Sequence, residues 1–169
     1  MNRRALDILG VLAGLVLVLG LANWNILAKQ SIVETGQKVL LPLQPVDPRS
    51  LIQGDYMRLD YSPDLHARGE IPKGSPRKGT AIMLLDSDGV ARFQRFDDES
   101  PLAPSEVRLR YKLVTDAGRM RYGAESFFFQ EGQRQAYQVA RFGVLHVASD
   151  GTSVLIGLAD ENRALIVPE

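Results

Sequence analysis

The chain lacks several residue types on which common protein chemistries depend. It has no cysteine, which excludes disulfide bonds, thiolate metal sites and cysteine nucleophiles. Its two histidines, His66 and His146, are too few for a histidine-rich metal site, and no recognisable ligand spacing joins them to carboxylates. Twenty basic and twenty acidic residues cancel, so no field of one sign is present to hold nucleic acid. We therefore expect no metal, no other cofactor and no nucleic-acid partner.

What the chain does have is a long uncharged segment near its N-terminus. This segment runs from Ile8 to Ala28 and follows Arg3 and Arg4. At about 1.5 Å rise per residue, roughly 20 apolar residues cross the hydrocarbon core of a bilayer. The two arginines favour a cytoplasmic N-terminus. We predict a membrane anchor over residues 1–28, helical from about residue 5, and an extracytoplasmic domain over residues 29–169.

A cleaved signal peptide is the alternative interpretation of this segment. Gly20 and Ala22 stand at the small-residue spacing that a signal peptidase accepts. The apolar run continues beyond them, and Trp24 has the position of an interfacial aromatic anchor. Retention as a single-pass signal anchor is therefore preferred.

The rest of the chain carries strand signals rather than helical periodicity. Short apolar runs flank Gly-containing turns at 86–89 and 149–152, which predicts two hairpins. The Pro- and Gly-rich segment 62–79 predicts a long loop, and only Gln130–Tyr137 admits a short helix. The expected strands are 37–43, 80–85, 90–96, 107–114, 140–148, 153–158 and, at the end of the chain, 164–167. We predict a mainly β fold, with one N-terminal transmembrane helix followed by a mixed or antiparallel sheet or a barrel-like domain with several hairpins.

The octapeptide GDYMRLDY, residues 54–61, is the most distinctive motif of the predicted β domain. Gly54 is expected to supply a φ that other residues resist, and Asp55 to accept backbone N–H bonds where the strand begins. Strand alternation places Met57, Leu59 and Tyr61 on one face, and Tyr56, Arg58 and Asp60 on the other. Tyr56 and Tyr61 are expected to be core aromatics whose hydroxyls need a partner. In the alternative, the second face, Tyr56, Arg58 and Asp60, is a binding surface.

A second polar and aromatic cluster lies further along the chain. It consists of Arg121, Tyr122, Gly123 and Glu125, followed by Glu131. A buried Arg–Glu pair in this cluster is expected to fasten it to the octapeptide. We expect its role to be structural rather than catalytic.

The octapeptide fits the pattern Gly-Asp-Tyr-x-x-Leu-x-Tyr, and the chain resembles the GDYXXLXY family of bacterial membrane-anchored proteins. Residues 46–51 and 121–128, and Glu131 with Gly132, are also similar to that family. The resemblance therefore covers nearly the whole chain. It implies an envelope protein anchored in the bacterial inner membrane, with its domain in the periplasm, acting beside a polytopic membrane protein. It implies no assigned reaction.

Residues 46–95 also resemble, in layout, the serine-lysine proteases of the signal-peptidase and LexA type. In this alignment the serine position falls on Val46 and the lysine position on Gln94, and neither side chain can perform acyl transfer. Ser50 and Lys78 remain as substitutes displaced in sequence. We therefore expect a non-enzymatic binding or assembly module with no catalytic residue. The alternative is a membrane-bound peptidase with displaced catalytic residues.

Overall fold

The computed structural model describes residues 3–44, 52–53, 56–67, 76–114 and 119–168. Within them, one long helix is followed by short strands. The helices are α1 (Arg3–Thr35) and α2 (Arg134–Tyr137), with a 3₁₀ turn at Pro63–Leu65. The strands are β1 (Gln37–Pro42), β2 (Ile52–Gln53), β3 (Tyr56–Arg58), β4 (Lys78–Leu85), β5 (Ala91–Phe96), β6 (Glu106–Leu113), β7 (Met120–Arg121), β8 (Ser126–Phe128), β9 (Phe142–Val147) and β10 (Ser153–Ala159). The prediction of a mainly β fold behind one apolar helix is confirmed.

Helix α1 is long and apolar enough to cross a membrane within Gly10–Thr35, where an 18-residue window has a mean hydropathy of 2.0. None of that window is buried against the rest of the described chain, and Trp24 is 75% exposed. The helix does not end near residue 28 but continues to Thr35, because no proline or glycine occurs between Ala28 and Gly36. Its polar end therefore forms a short stalk, residues 29–35, between the apolar segment and the β domain.

The stalk is fastened to the β domain at its last turn. Gly36 follows the helix and β1 begins at the next residue, so no linker separates the two. The Nδ1 atom of His146 on β9 lies 2.6 Å from the carbonyl oxygen of Val33. A ring N–H at this position donates to a carbonyl that the helix itself leaves without a partner.

The strands form three sheets in which every paired neighbour is antiparallel. The strand orders are β1-β9-β10, β2-β3-β8 and β5-β4-β6-β7. Both predicted hairpins are present, as β4–β5 and as β9–β10. In the first turn the Oδ1 atom of Asp86 accepts the N–H groups of Asp88 and Val90, at 2.9 Å each, which closes the hairpin.

One hydrophobic core joins the three sheets. It contains Leu41 of β1, Met57 of β3, Leu109 of β6 and Leu145 of β9. The side chains of β6 alternate as in a strand with one wet face, because Val107, Leu109 and Tyr111 are buried whereas Arg110 and Lys112 are exposed. The octapeptide contributes Met57, Leu59 and Tyr61 to the same core.

Three local predictions differ from the structure in extent. The segment predicted as a last strand, 164–167, makes one isolated bridge between Leu165 and Ala159. The expected helix over Gln130–Tyr137 is reduced to the single turn α2. The expected long loop contains the 3₁₀ turn, whose Leu65 is fully buried, and ends where β4 begins at Lys78. Residues 68–75 of that loop lie outside the described residues.

Candidate functional site

The two motif regions meet in the sheet β2-β3-β8. Strand β3 of the octapeptide pairs with β8, with Tyr56 opposite Phe128 and Arg58 opposite Ser126. The pairing continues past β3, because the Leu59 N–H donates to the Glu125 carbonyl at 2.9 Å. The topology therefore brings together two segments that are far apart in sequence.

The inner face of the octapeptide lies in the core as predicted. Met57, Leu59 and Tyr61 are 6%, 4% and 3% exposed. The Tyr61 hydroxyl donates to the Ala124 carbonyl, and the Tyr122 ring packs edge-on against Tyr61 with 6.1 Å between ring centroids. This contact is the physical link between the two motif regions.

Tyr122 extends the same link to the loop after the octapeptide. Its hydroxyl donates to the carbonyl of Leu65 in the 3₁₀ turn. Burial raises the pKa of both Tyr61 and Tyr122 well above the ordinary value for a phenol, and the Glu125 charge adds to the shift at Tyr61. Both phenols therefore stay protonated and remain hydrogen-bond donors.

The expected buried Arg–Glu pair is not formed. Arg121 is exposed, because the alternation of β7 turns Met120 into the core and the next side chain outward. The Glu125 carboxylate instead accepts the N–H groups of Tyr122 and Gly123, at 2.7 and 2.9 Å. Gly123 has φ +81°, so this carboxylate stabilises a turn that glycine makes accessible. Glu131, the last residue of the predicted cluster, is exposed.

The outer face of the octapeptide borders a cleft that we call the motif cleft. Its lining includes Gln44, Arg58, Asp60, His66, Arg119 and Arg121. Its more open part, around His66 and Arg119, has a volume of about 260 Å³. Arg119 Nη2 lies 2.6 Å from Asp60 Oδ1, which ties the octapeptide to the segment just before β7.

His66 contributes an uncharged ring to the motif cleft. Its Nδ1 atom accepts the N–H of Met120 at 3.2 Å, so the neutral ring carries its proton on Nε2. Burial lowers the His66 pKa from 6.5, the Arg119 charge lowers it further, and Asp60 acts in the opposite direction. At neutral pH the His66 ring is therefore uncharged, and its Nε2–H can donate a hydrogen bond toward the motif cleft.

The charges of the motif cleft do not balance. Three arginines and two carboxylates line it, since Glu125 borders it together with Asp60. Asp60 pairs with Arg119, and Glu125 is occupied by backbone N–H groups. Within the described part of the chain, neither Arg58 nor Arg121 has a carboxylate partner. Arg58 and Arg121 are exposed and line the narrow part of the motif cleft, whose volume is about 20 Å³, so they are available to a carboxylate or another anionic group at its rim.

A pair of aromatic rings, one exposed and one half-buried, lies beside the motif cleft. Phe128 is 74% exposed, and its ring centroid is 5.7 Å from that of the half-buried Tyr56. The neighbouring Phe127 and Phe129 point to the opposite face, where both contact Tyr137. Sequence reasoning missed Phe128, although alternation along a strand requires that one of three consecutive phenylalanines face away from the others.

The peptidase alternative stays a prediction, because only two of the four residues on which it depends, Lys78 and Gln94, are described. Val46 and Ser50 lie outside the described residues, as do Gly54 and Asp55 of the octapeptide. Gln94 is exposed on β5, and Lys78 is exposed at the start of β4, opposite Lys112 on β6. Among the residues that the structure describes, no group of three or more acidic or histidine side chains is placed to hold a metal ion.

The fold and the site define a class: a mainly β domain carried on one N-terminal helix that is apolar enough to span a membrane, with two sequence motifs meeting at one cleft. The sequence profile of the GDYXXLXY protein family matches residues 18–158, most of the chain. The chain belongs to the GDYXXLXY family. Searches of curated proteins and of solved structures gave no significant match.

Proposed function

We propose that this protein is a single-pass envelope protein of the bacterial inner membrane that acts as a non-enzymatic binding or assembly module. Its β domain lies in the periplasm and binds a polytopic membrane protein. The binding surface is the outer face of the octapeptide, formed by Tyr56, Arg58 and Asp60, together with the rest of the motif cleft.

The observation that carries this proposal is that Arg58 and Arg121, which line the motif cleft, have no carboxylate partner among the described residues. Every buried side-chain nitrogen or oxygen atom of the described residues has a hydrogen-bond partner, so the scaffold beneath them is complete. Arginine is enriched among the residues that dominate binding energy at protein interfaces. The surrounding tyrosines and the Asp60–Arg119 pair fix the backbone beneath the two arginines. A surface held in place before binding loses less conformational entropy when a partner arrives.

The stalk supports a partner that is itself a membrane protein. The apolar part of α1 ends before Lys29, and the seven residues of the stalk add only about 10 Å of helix. Because Gly36 connects directly to β1 and His146 bonds to Val33, the β domain stays close to the bilayer surface. Segments that project a short distance from the membrane are then within reach of the motif cleft.

The proposal is tested by cross-linking in native membranes followed by affinity purification of the full chain. Arg58→Glu reverses a charge at the centre of the proposed surface, and we expect at least about a tenfold loss of the co-purified polytopic protein. Tyr56→Ala is expected to weaken recovery in the same direction.

Arg92→Glu is the matched control, because Arg92 is also an exposed arginine on a strand but lies on β5, in another sheet. It should leave recovery unchanged. Equal recovery from Arg58→Glu and Arg92→Glu, or the absence of any polytopic protein from the wild-type sample, would overturn the proposal.

The topology is tested separately. Arg3 and Arg4 should hold the N-terminus in the cytoplasm, so a protease added to intact spheroplasts should digest the β domain. The mass of the purified chain should include residues 1–22 if the helix is retained. A mature N-terminus directly after Ala22 would instead establish a cleaved signal peptide.

A further inference from the structure

Among the described strands, β8 is an edge strand, and its outward backbone groups have no partner among the described residues. In an antiparallel pair, hydrogen-bonded residues alternate with residues whose N–H and C=O groups point away from the neighbouring strand. The bond from Leu59 to Glu125 places Glu125 and Phe127 in the bonded class. The N–H and C=O groups of Ser126 and Phe128 therefore point away from β3.

No other element of the described chain pairs with this edge. Strand β8 stands last in the order β2-β3-β8, and no hydrogen bond between described residues reaches the outward groups of Ser126 or Phe128. Edge strands are usually protected by charge, proline or a covering loop, because free N–H and C=O groups can pair with another chain.

The side chains beside this edge specify what could pair with it. Phe128 offers an exposed ring at the edge, with Tyr56 behind it. Arg58 lies behind Ser126, whose small side chain leaves the guanidinium room to reach over it. An added strand would lie roughly 10 Å from β3, two strand spacings away, which places its side chains within reach of an extended arginine.

We propose that an extended acidic segment of the partner binds by adding a strand to β8. The added strand would place an apolar side chain on Phe128 and a carboxylate on Arg58. Because Phe128 and Ser126 are two residues apart on one face, the partner's apolar and acidic residues must also be two positions apart. This inference rests on the proposed function and specifies how the same surface binds its partner.

Charge favours this occupant over a second copy of the chain. A second copy would bring its own unpaired Arg58 and Arg121 to the contact, where like charges repel. An acidic segment neutralises them. Main-chain hydrogen bonds would supply affinity that depends little on sequence, and the two side-chain contacts would supply specificity.

The test places a photoreactive phenylalanine derivative at position 128 of the full chain in native membranes. A second variant carries it at Val139, which is 55% exposed and lies in the segment after α2, outside the sheet β2-β3-β8. We expect a cross-link from position 128 to a periplasmic segment that has an apolar and an acidic residue two positions apart, and at least about tenfold less product from position 139.

The backbone contribution is tested by Ser126→Pro, which removes one outward N–H and leaves the pairing with β3 intact. Ser126→Ala retains that N–H and is the control. We expect Ser126→Pro to reduce the cross-link from position 128 about tenfold or more and Ser126→Ala to leave it unchanged. If Ser126→Pro fails to fold, synthetic peptides of the cross-linked segment, with and without backbone N-methylation, are compared for binding to the wild-type chain; equal binding would refute strand addition.

Failure of this inference and failure of the proposed function give different results. A third variant carries the photoreactive group at position 58, in the motif cleft. If this variant cross-links a polytopic protein and the variant at position 128 does not, the motif cleft binds a partner without strand addition. A cross-link from position 128 to another copy of this chain, or to a segment without the predicted spacing, would also overturn the inference. The absence of a partner from both positions would overturn the proposed function itself.

Discussion

Tyr61→Phe is the most direct test of the link between the two motif regions, because it removes one hydroxyl and leaves the ring in place. Tyr61 is 3% exposed, and the carbonyl that it bonds belongs to Ala124, which is 6% exposed. A net hydrogen bond is worth about 1 kcal/mol, but removing only its donor leaves a buried carbonyl unpaired and costs about 1–3 kcal/mol in total. We therefore expect the free energy of unfolding to fall by about 2 kcal/mol, which lowers Tm by roughly 5–10 °C in a domain of this size.

The measurement is thermal unfolding of the full chain in detergent, followed by near-ultraviolet circular dichroism. Tyr137→Phe is the matched control, because Tyr137 is also buried but its hydroxyl makes no hydrogen bond to another described residue. It should change Tm little. If Tyr61→Phe costs no more than Tyr137→Phe, the hydroxyl does not stabilise the junction and the reasoning is refuted. Tyr122→Phe should cost a similar amount, and the double variant should be non-additive because the two rings are in contact.

Four further predictions follow from the same geometry. Gly123→Ala should cost about 1 kcal/mol in denaturant unfolding because φ is +81°, and Gly123→Asn should cost less because asparagine tolerates this region. Stability should fall as pH drops below 6.5, through the lowered pKa of His66, and His66→Gln should remove this component of the pH dependence. In alkaline absorbance titration, Tyr61 and Tyr122 should not ionise near pH 10 in the native state; unfolded phenols ionise there, so stability should decline above that pH. Eight Gly/Ser residues inserted after Thr35 should loosen the exposed His146–Val33 bond with little change in Tm, and they should reduce partner cross-linking because the tether adds about 15 Å of reach. Unchanged cross-linking would show that the distance of the β domain from the bilayer does not affect binding.

The parts of the structure that could be predicted are those that local chemistry determines. Alternation placed Met57, Leu59 and Tyr61 in the core, and an Asp-containing turn with glycine predicted the hairpin β4–β5. Each depends on residues a few positions apart. The continuation of α1 to Thr35 was missed because five of the seven residues 29–35 are polar, and polarity ends an apolar segment without ending a helix.

The parts that could not be predicted depend on which segments the topology brings together. His66 and Arg119 lie in irregular segments, so no periodicity marks them as neighbours of the octapeptide. The prediction of a buried Arg–Glu pair was wrong for a related reason. The sequence shows that Arg121 and Glu125 are present to form an ion pair. Only the register of β7 shows that Arg121 points outward. Only the turn at Gly123 shows that the Glu125 carboxylate already accepts backbone N–H groups.

The octapeptide divides its positions between scaffold and surface in a way that bears on partner choice. In the pattern Gly-Asp-Tyr-x-x-Leu-x-Tyr, the last two specified residues are Leu59 and Tyr61, and both are buried in the core. Arg58 and Asp60 fall on unspecified positions, and both line the motif cleft. The pattern therefore specifies two core residues and Tyr56 on the outer face, while the charged positions 58 and 60 of the motif cleft are open to change. If the motif cleft binds a partner, members of the family can share one fold and one docking edge and still recognise partners of different charge.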